Sequence, residues 1–512
     1  MNSFRIEPML KAFLRLKDYF SFDTRALALG RMGLGLSVFV DILWRMQSID
    51  WHYTDQGTMP RDVFLSQFAF PWTNSFHLMN GTFGFAFILL ALHGLIALMV
   101  AVGYKTRLFT LLLSVFTISL HNRLWYLNNG GDDALRALLF FAVFLPWGEM
   151  WSVDWWRKGQ NIAPRRVSGS WVAVWFLQAF CVYFVSYILK TSPIWRQDYT
   201  AIYYSSHLDL FATPLMKNLR QYPLFLKIST FLTIMLEWLG PLALVLGFVA
   251  PRRFWKWVKL GVVASFWGLH LGIILTMSIG LFPFYCIFMW FFFLPTEVLD
   301  WFEDRCPKVV KLLNAPLSGL SLKLGLIPVS SRKSKGLFYF SQVFGVFIFA
   351  TIFFWNLSTL KPPMKVSIPF WINVTRWLHL YQEWNMFSPF PKQENVWLEI
   401  PAELENGSSV ELLSGSSDIL SSKKDIFPQM IPDEHWRKFY MNVADNDKLA
   451  KQYAGAWCRL WNRSEDSGGI RPRLRRFSII AYHHVILPDY KQSDLHKRVV
   501  WNHWCFEADL PK

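Results

Sequence analysis

Ionisable side chains stand at several points where the surrounding sequence is apolar, and each is a candidate for chemistry. The first group lies in SLHNRLWYLNNGGDDALR, Ser119 to Arg136. His121, Asn122 and Arg123 end one apolar run, and Asn128, Asn129, Asp132 and Asp133 begin the next. Two readings are open. Asn and Asp suit a helix start, where their oxygens cap free amides and the dipole favours carboxylates. Polar residues at membrane depth are costly, however, and commonly line a water- or substrate-filled site. In that reading this group stands at the mouth of an outward-facing cavity.

The second group is YILKTSPIWRQDY, where Lys190 closes an apolar run and Arg196 and Asp198 follow. Such a lysine can snorkel to the interface. Held in an apolar wall, it loses the water that favours its ammonium form, and the free amine can act as a base. The third is His270, with apolar neighbours for a full turn on each side in WGLHLGIILTMSIGLFPFYC. It either bonds a backbone carbonyl or serves a site. Glu237, in LEWLGP, needs a buried partner, for which an Arg or His is natural. Asp41 and Arg45 are four residues apart and can pair on one helix face, a structural role.

The elements that position these residues are membrane helices. The chain has 512 residues, 53% hydrophobic and 17% charged, against about 25% charged in soluble proteins. Aromatics at 18% suit lipid-facing helices and interfacial belts. About nine spans are expected, near 26–44, 82–102, 108–120, 134–147, 171–189, 228–248, 258–277, 281–294 and 336–355. The third, fourth and eighth fall short of the roughly 20 residues a crossing needs, and any of them can be re-entrant.

Charge orients the spans. Arg5, Lys11, Arg15, Lys17 and Arg25 precede the first. Basic clusters recur at Lys105 and Arg107, at Arg157 to Arg166, at Arg252 to Lys259 and at Arg305 to Lys335, that is, in alternate connections. This places the N-terminus in the cytoplasm. It also accounts for the net charge of +16 without nucleic acid. The five cysteines show no CxxC spacing, so no metal is expected. Cys458 and Cys505 can pair if their region faces an oxidising compartment.

Four regions follow. Residues 1–22 form an interfacial amphipathic helix, and 23–302 a helical membrane domain. Residues 303–357 form a cytoplasmic connection and the last span, and 358–512 an extracytoplasmic domain rich in strand. The fold class is mainly α, a polytopic bundle with a C-terminal α+β domain. In that domain ENG at Glu405–Gly407 predicts a hairpin turn, and LSGSSDILSSKKD a flexible loop.

SLHNR, NGGDD and FLPWGEMWSVD, together with FDTRALALGRMGLG and HYTDQGTMPRDVF, resemble the bacterial HTTM family, the horizontally transferred transmembrane domain. That domain is related to the membrane part of animal vitamin K-dependent gamma-glutamyl carboxylase. The resemblance covers roughly 23–302, and YQEWNMFSPFP resembles a segment following the domain in bacterial relatives. It implies an integral protein of the bacterial inner membrane that uses reduced vitamin K (a menaquinol-type hydroquinone), O2 and CO2. Lys190, followed five residues later by Trp195, matches the carboxylase base and its Trp. His270 with SIGLFPF matches a second stretch, which makes Lys190 and His270 the implied catalytic pair. His121, Arg123, Asn128, Asn129, Asp132, Asp133, Trp195 and Glu237 are the candidates for binding substrate or stabilising charge. The chain departs from the carboxylase where Gly130-Gly131-Asp132-Asp133 replaces a His after the Asn pair, and in lacking a large propeptide-binding domain.

Two other functions fit the same features. A maturation factor would bind a secreted peptide or protein client through the polar cluster and the C-terminal domain. A transporter would use the same cavity, but no internal repeat of the kind common in transporters is evident. Membrane lipid is a partner in every case.

Overall fold

The computed structural model describes residues 11, 12, 14–158, 165–311, 313, 335–416, 427–466, 472–489, 491 and 493–509. Residues 1–10 of the expected N-terminal helix, most of the LSGSSDILSSKKD segment and several basic residues before 335 lie outside these. Among the described residues, six helices are long and apolar enough to cross a membrane. They are α1 (Thr24–Met46), α2 (Phe83–Val102), α5 (Ser170–Leu189), α6 (Pro223–Leu246), α7 (Trp255–Thr276) and α10 (Lys335–Thr359). At 1.5 Å per residue, the 20 residues of α5 span about 30 Å, the thickness of the hydrocarbon core. These helices make the chain an integral membrane protein by length and composition.

Where the sequence suggested the other three spans, shorter or more polar helices stand. Helix α3 (Thr106–Arg123) ends in buried His121, Asn122 and Arg123, and α4 (Gly130–Ala142) has only 13 residues. Helix α8 (Phe282–Phe291) bends by 95° into α9 (Thr296–Arg305), and this broken pair counts as a seventh span if taken as one. Hydropathy detects the apolar run in each case but not the break or the polar end.

Close packing sets where these elements sit. A Cβ on Gly30 or Gly33 of α1 would overlap the rings of Phe292 and Phe288, so the two glycines let α8 lie directly on the first span. Trp175 of α5 stacks on Phe292 at 4.0 Å. In the core α8 packs chiefly against α1 and α7, with α4 alongside, and meets α5 through Trp175 and Trp290.

The C-terminal region forms an antiparallel sheet of β1 (Glu394–Glu399), β2 (Pro401–Leu404), β3 (Ser409–Glu411), β4 (Leu474–Val485) and β5 (His496–Trp504). The long strand β4 is central. Along one edge it pairs β1, with Glu399 opposite Ile480, and then β2, with Ala402 opposite Phe477. On its other edge it pairs β5, with Phe477 opposite His503. The expected turn joins β2 to β3, with Gly407 at φ 81°. Helices α11 (Glu434–Asp445) and α12 (Asp447–Asp466) flank the sheet, and a disulfide joins Cys458 of α12 to Cys505 beyond β5.

Candidate functional site

The Asn-Gly-Gly-Asp-Asp segment is first of all a helix start. Asn129 is the N-cap of α4 and accepts from the Gly131 amide at 2.7 Å. Asp132 accepts from the Asn129 amide at 2.7 Å, completing a capping box. Asp132 also faces inward, with its other oxygen 3.2 Å from His121 Nε2 and 3.4 Å from Arg45. Arg45 donates to Asp41 at 2.7 Å, the expected i,i+4 pair. Asp133 pairs with Arg136 at 2.5 Å, and that guanidinium lies 4.5 Å over the Tyr381 ring. Asn128 donates to the His121 carbonyl at 3.0 Å. Arg123 stands apart, donating to the Met59 carbonyl and lying over Phe64.

What closes this cluster comes from a distant part of the chain. Helix α11 of the C-terminal domain sets His435 against it, with Nε2 3.2 Å from Asp41 and Nδ1 3.4 Å from Asp433. Asp433 is the N-cap of α11 and accepts from the His435 and Trp436 amides at 2.8 and 3.1 Å. Glu434 rests on the loop before α8, its carboxyl occupying the space a Cβ on Gly280 would need. Gly280 has φ 71°, a second reason that only glycine suits. Burial and Arg45 oppose a charged His435, but Asp41 and Asp433 outweigh them and raise its pKa to about 10. Burial raises the Glu434 carboxyl to about 7. The D-E-H-W run after Pro432, with an Asp at a helix start, is the one local signal that could have flagged this helix.

Lys190 caps the C-terminal end of α5. Its Nζ lies 2.5 Å from both carboxylate oxygens of Glu237 on α6 and 3.0 Å from Ser186 Oγ. The two side chains are only 5% and 9% exposed. The partner of Glu237 is therefore a lysine rather than the expected Arg or His. Trp195 covers the ammonium at 4.7 Å and is fixed by donating to the Phe387 carbonyl at 2.9 Å. Arg196 turns away, donating to the Lys190 carbonyl.

His270 is buried on α7, its Nε2 2.6 Å from Tyr183 Oη of α5, and Trp290 donates to the same oxygen at 2.8 Å. Tyr183 and Lys190 are two helical turns apart, so they share one face of α5 about 10 Å apart. Phe282 links His270 to the Asn-Gly-Gly-Asp-Asp helix. Its ring centroid is 5.9 Å from that of His270, and its Cβ is in tight contact with the space beside Gly131. The YQEWNMFSPFP stretch runs along the same region. Gln382 accepts from Gln178, Met386 lies against Gly130, and Phe387 holds Trp195.

The candidates thus fall into two neighbourhoods. One is a charged seam closed by the C-terminal domain. The other is a drier wall of Lys190, Glu237, Trp195, Tyr183 and His270, the arrangement with more scope for moving a proton. An open cleft of about 740 Å3 lies away from both, lined among others by Asp50, Asp55, Arg61, Phe83, Arg459 and Asn462. Comparisons with protein-family models, with curated proteins and with solved structures find no match for this chain.

Proposed function

We propose that this protein is a bacterial inner-membrane enzyme of the vitamin K-dependent carboxylase type, acting on a reduced naphthoquinone with oxygen. The observation that carries the reading is the Lys190–Glu237 pair, buried at the end of an apolar span beside Trp195 and on the same helix face as Tyr183 and His270. A menaquinol-type hydroquinone supplies, when bound, an acidic hydroxyl and reducing power toward O2, with CO2 as the further reactant if a client Glu is carboxylated. The residues suit such a guest. Tyr187 and Trp238 stack at 5.8 Å beside the pair, Trp238 is partly exposed, and His270 Nδ1 is a buried ring nitrogen without a hydrogen-bond partner.

In this mechanism Lys190 and Glu237 receive the proton. The ammonium–carboxylate pair becomes an ammonium–carboxylic acid pair, and the net positive charge it then carries would be offset by the oxyanion left on the bound guest. Trp195 and Ser186 fix the amine. Tyr183 and Trp290 fix the His270 ring, whose free nitrogen is available to orient a hydroxyl. Exclusion of water strengthens each of these interactions. His121 at the end of α3 and Asn128, Asn129 and Asp132 at the start of α4 shape the adjoining wall, in a bundle of about nine spans, three of them short.

The N-terminus is assigned to the cytoplasm and the C-terminal domain to the outside. The basic connections support this, as does the Cys458–Cys505 disulfide, which persists in an oxidising compartment. The 740 Å3 cleft between α12 and the outer loops favours a second reading, a maturation factor that binds a secreted peptide or protein there. The test is epoxide formation from reduced menaquinone and oxygen by purified protein, comparing wild type with Lys190→Ala. Epoxide from wild type alone supports the chemistry and the base. Epoxide from both moves the base elsewhere, and none from folded wild type shifts the function to client binding.

A further inference from the structure

We propose that Asp41, Glu434 and His435 form a binding site for one divalent transition-metal ion, zinc being the first probe, that clamps the C-terminal domain onto the first span. The three offer ligand atoms that lie within 4.8 Å of one another, from two parts of the chain far apart in sequence. Asp41 Oδ1 and His435 Nε2 are 3.2 Å apart, close to the roughly 3.3 Å between two ligands of a tetrahedral ion with 2.0–2.1 Å bonds. Glu434 supplies the third ligand atom within 4.8 Å of the other two.

Three further observations point to a cation. His435 is 3% exposed, yet neither ring nitrogen makes a hydrogen bond of good geometry, and Glu434 Oε2 is likewise buried without one. The outer nitrogen, Nδ1, faces Asp433 at 3.4 Å. A carboxylate behind an imidazole whose other nitrogen faces the ligand atoms is the outer-shell arrangement that orients a metal-binding histidine. Asp433 is itself locked as the cap of α11, so the histidine is aimed by backbone geometry.

The charge is also unbalanced. Asp41, Asp132, Asp433 and Glu434 converge here on Arg45 and His435 among the described residues. A divalent ion in place of the His435 proton offsets most of the negative charge. One imidazole and two carboxylates form a borderline-to-hard donor set that suits Zn2+. The Gly280 backbone, at φ 71°, leaves room for the Glu434 carboxyl and holds it at the seam.

The test uses the full-length protein in detergent, stripped with chelator and then titrated with ZnCl2 while bound metal and thermal stability are followed. Wild type should take up about one zinc per chain and gain stability. Glu434→Gln leaves the His435 contacts to Asp41 and Asp433 in place but removes a ligand, so it should fold and lose the tight zinc. His435→Gln should lose it as well. Two outcomes would overturn the site: folded wild type that binds no zinc, or zinc retained equally by both variants.

Discussion

Removing Glu237 while leaving Lys190 in place should destabilise the protein far more than removing both. The pair is buried: Nζ lies 2.5 Å from each carboxylate oxygen, Ser186 supplies one further contact, and Trp195 covers one face. With 5% and 9% exposure, water reaches neither group freely. Glu237→Leu leaves the ammonium with only a hydroxyl and an aromatic face, and breaking a buried pair this way costs about 3–5 kcal/mol. That is a factor of roughly 100 to several thousand in the folding equilibrium. Lys190→Met should cost a similar amount by stranding the carboxylate. The double variant, Lys190→Met with Glu237→Leu, replaces both charges by apolar groups and should fall within about 1 kcal/mol of wild type. The assay is reversible unfolding by SDS in mixed micelles, run as a double-mutant cycle. Single variants that each cost under about 1 kcal/mol, or a double variant as unstable as the two summed, would refute the claim that this pair is dry. The folded double variant also separates stability from chemistry, because it should produce no quinone epoxide.

Other consequences are open to direct measurement. His77 and His379 lie outside the spans, and burial holds them down at about 3 and about 4. Their folded values are below the unfolded one, so the stability they contribute is present above about pH 6.5 and is lost as pH falls toward the folded values. Each should remove about 2 kcal/mol between pH 6.5 and 5, and His77→Gln should flatten the fall in melting temperature over that window. Cys458 and Cys505 are 47 residues apart, so Cys458→Ser with Cys505→Ser should cost about 2–4 kcal/mol and expose the C-terminal domain to protease. Asn129→Ala removes the cap of α4 and should cost about 1 kcal/mol in the same unfolding assay, whereas Asn128→Ala should cost less.

Features whose cause is local were legible in the sequence. The Asp41–Arg45 pair is four residues apart, the Asn129 cap precedes its helix directly, and the turn at Glu405–Gly407 carries its own signature. The long apolar helices were legible because lipid imposes length and composition together. Contacts between distant elements were not. Glu237 finds Lys190 across 47 residues, and no periodicity names the partner. His435 stands in a polar domain whose sequence says nothing of docking on the first span. In the three short apolar runs, an apolar window registers neither the bend after Phe291 nor the polar end of α3.

The seam at Asp41 and His435 also sets a timetable for biosynthesis. Asp41 and Arg45 enter the membrane with α1, but His435 is made about four hundred residues later. At 5–20 residues per second this interval is roughly 20–80 s. For that time Asp41 lacks the His435 that faces it in the folded protein, so this end of the span must remain near water or in the care of the insertion machinery. The seam can settle only when the domain that carries His435 arrives, which makes truncated or stalled chains natural targets for membrane quality control.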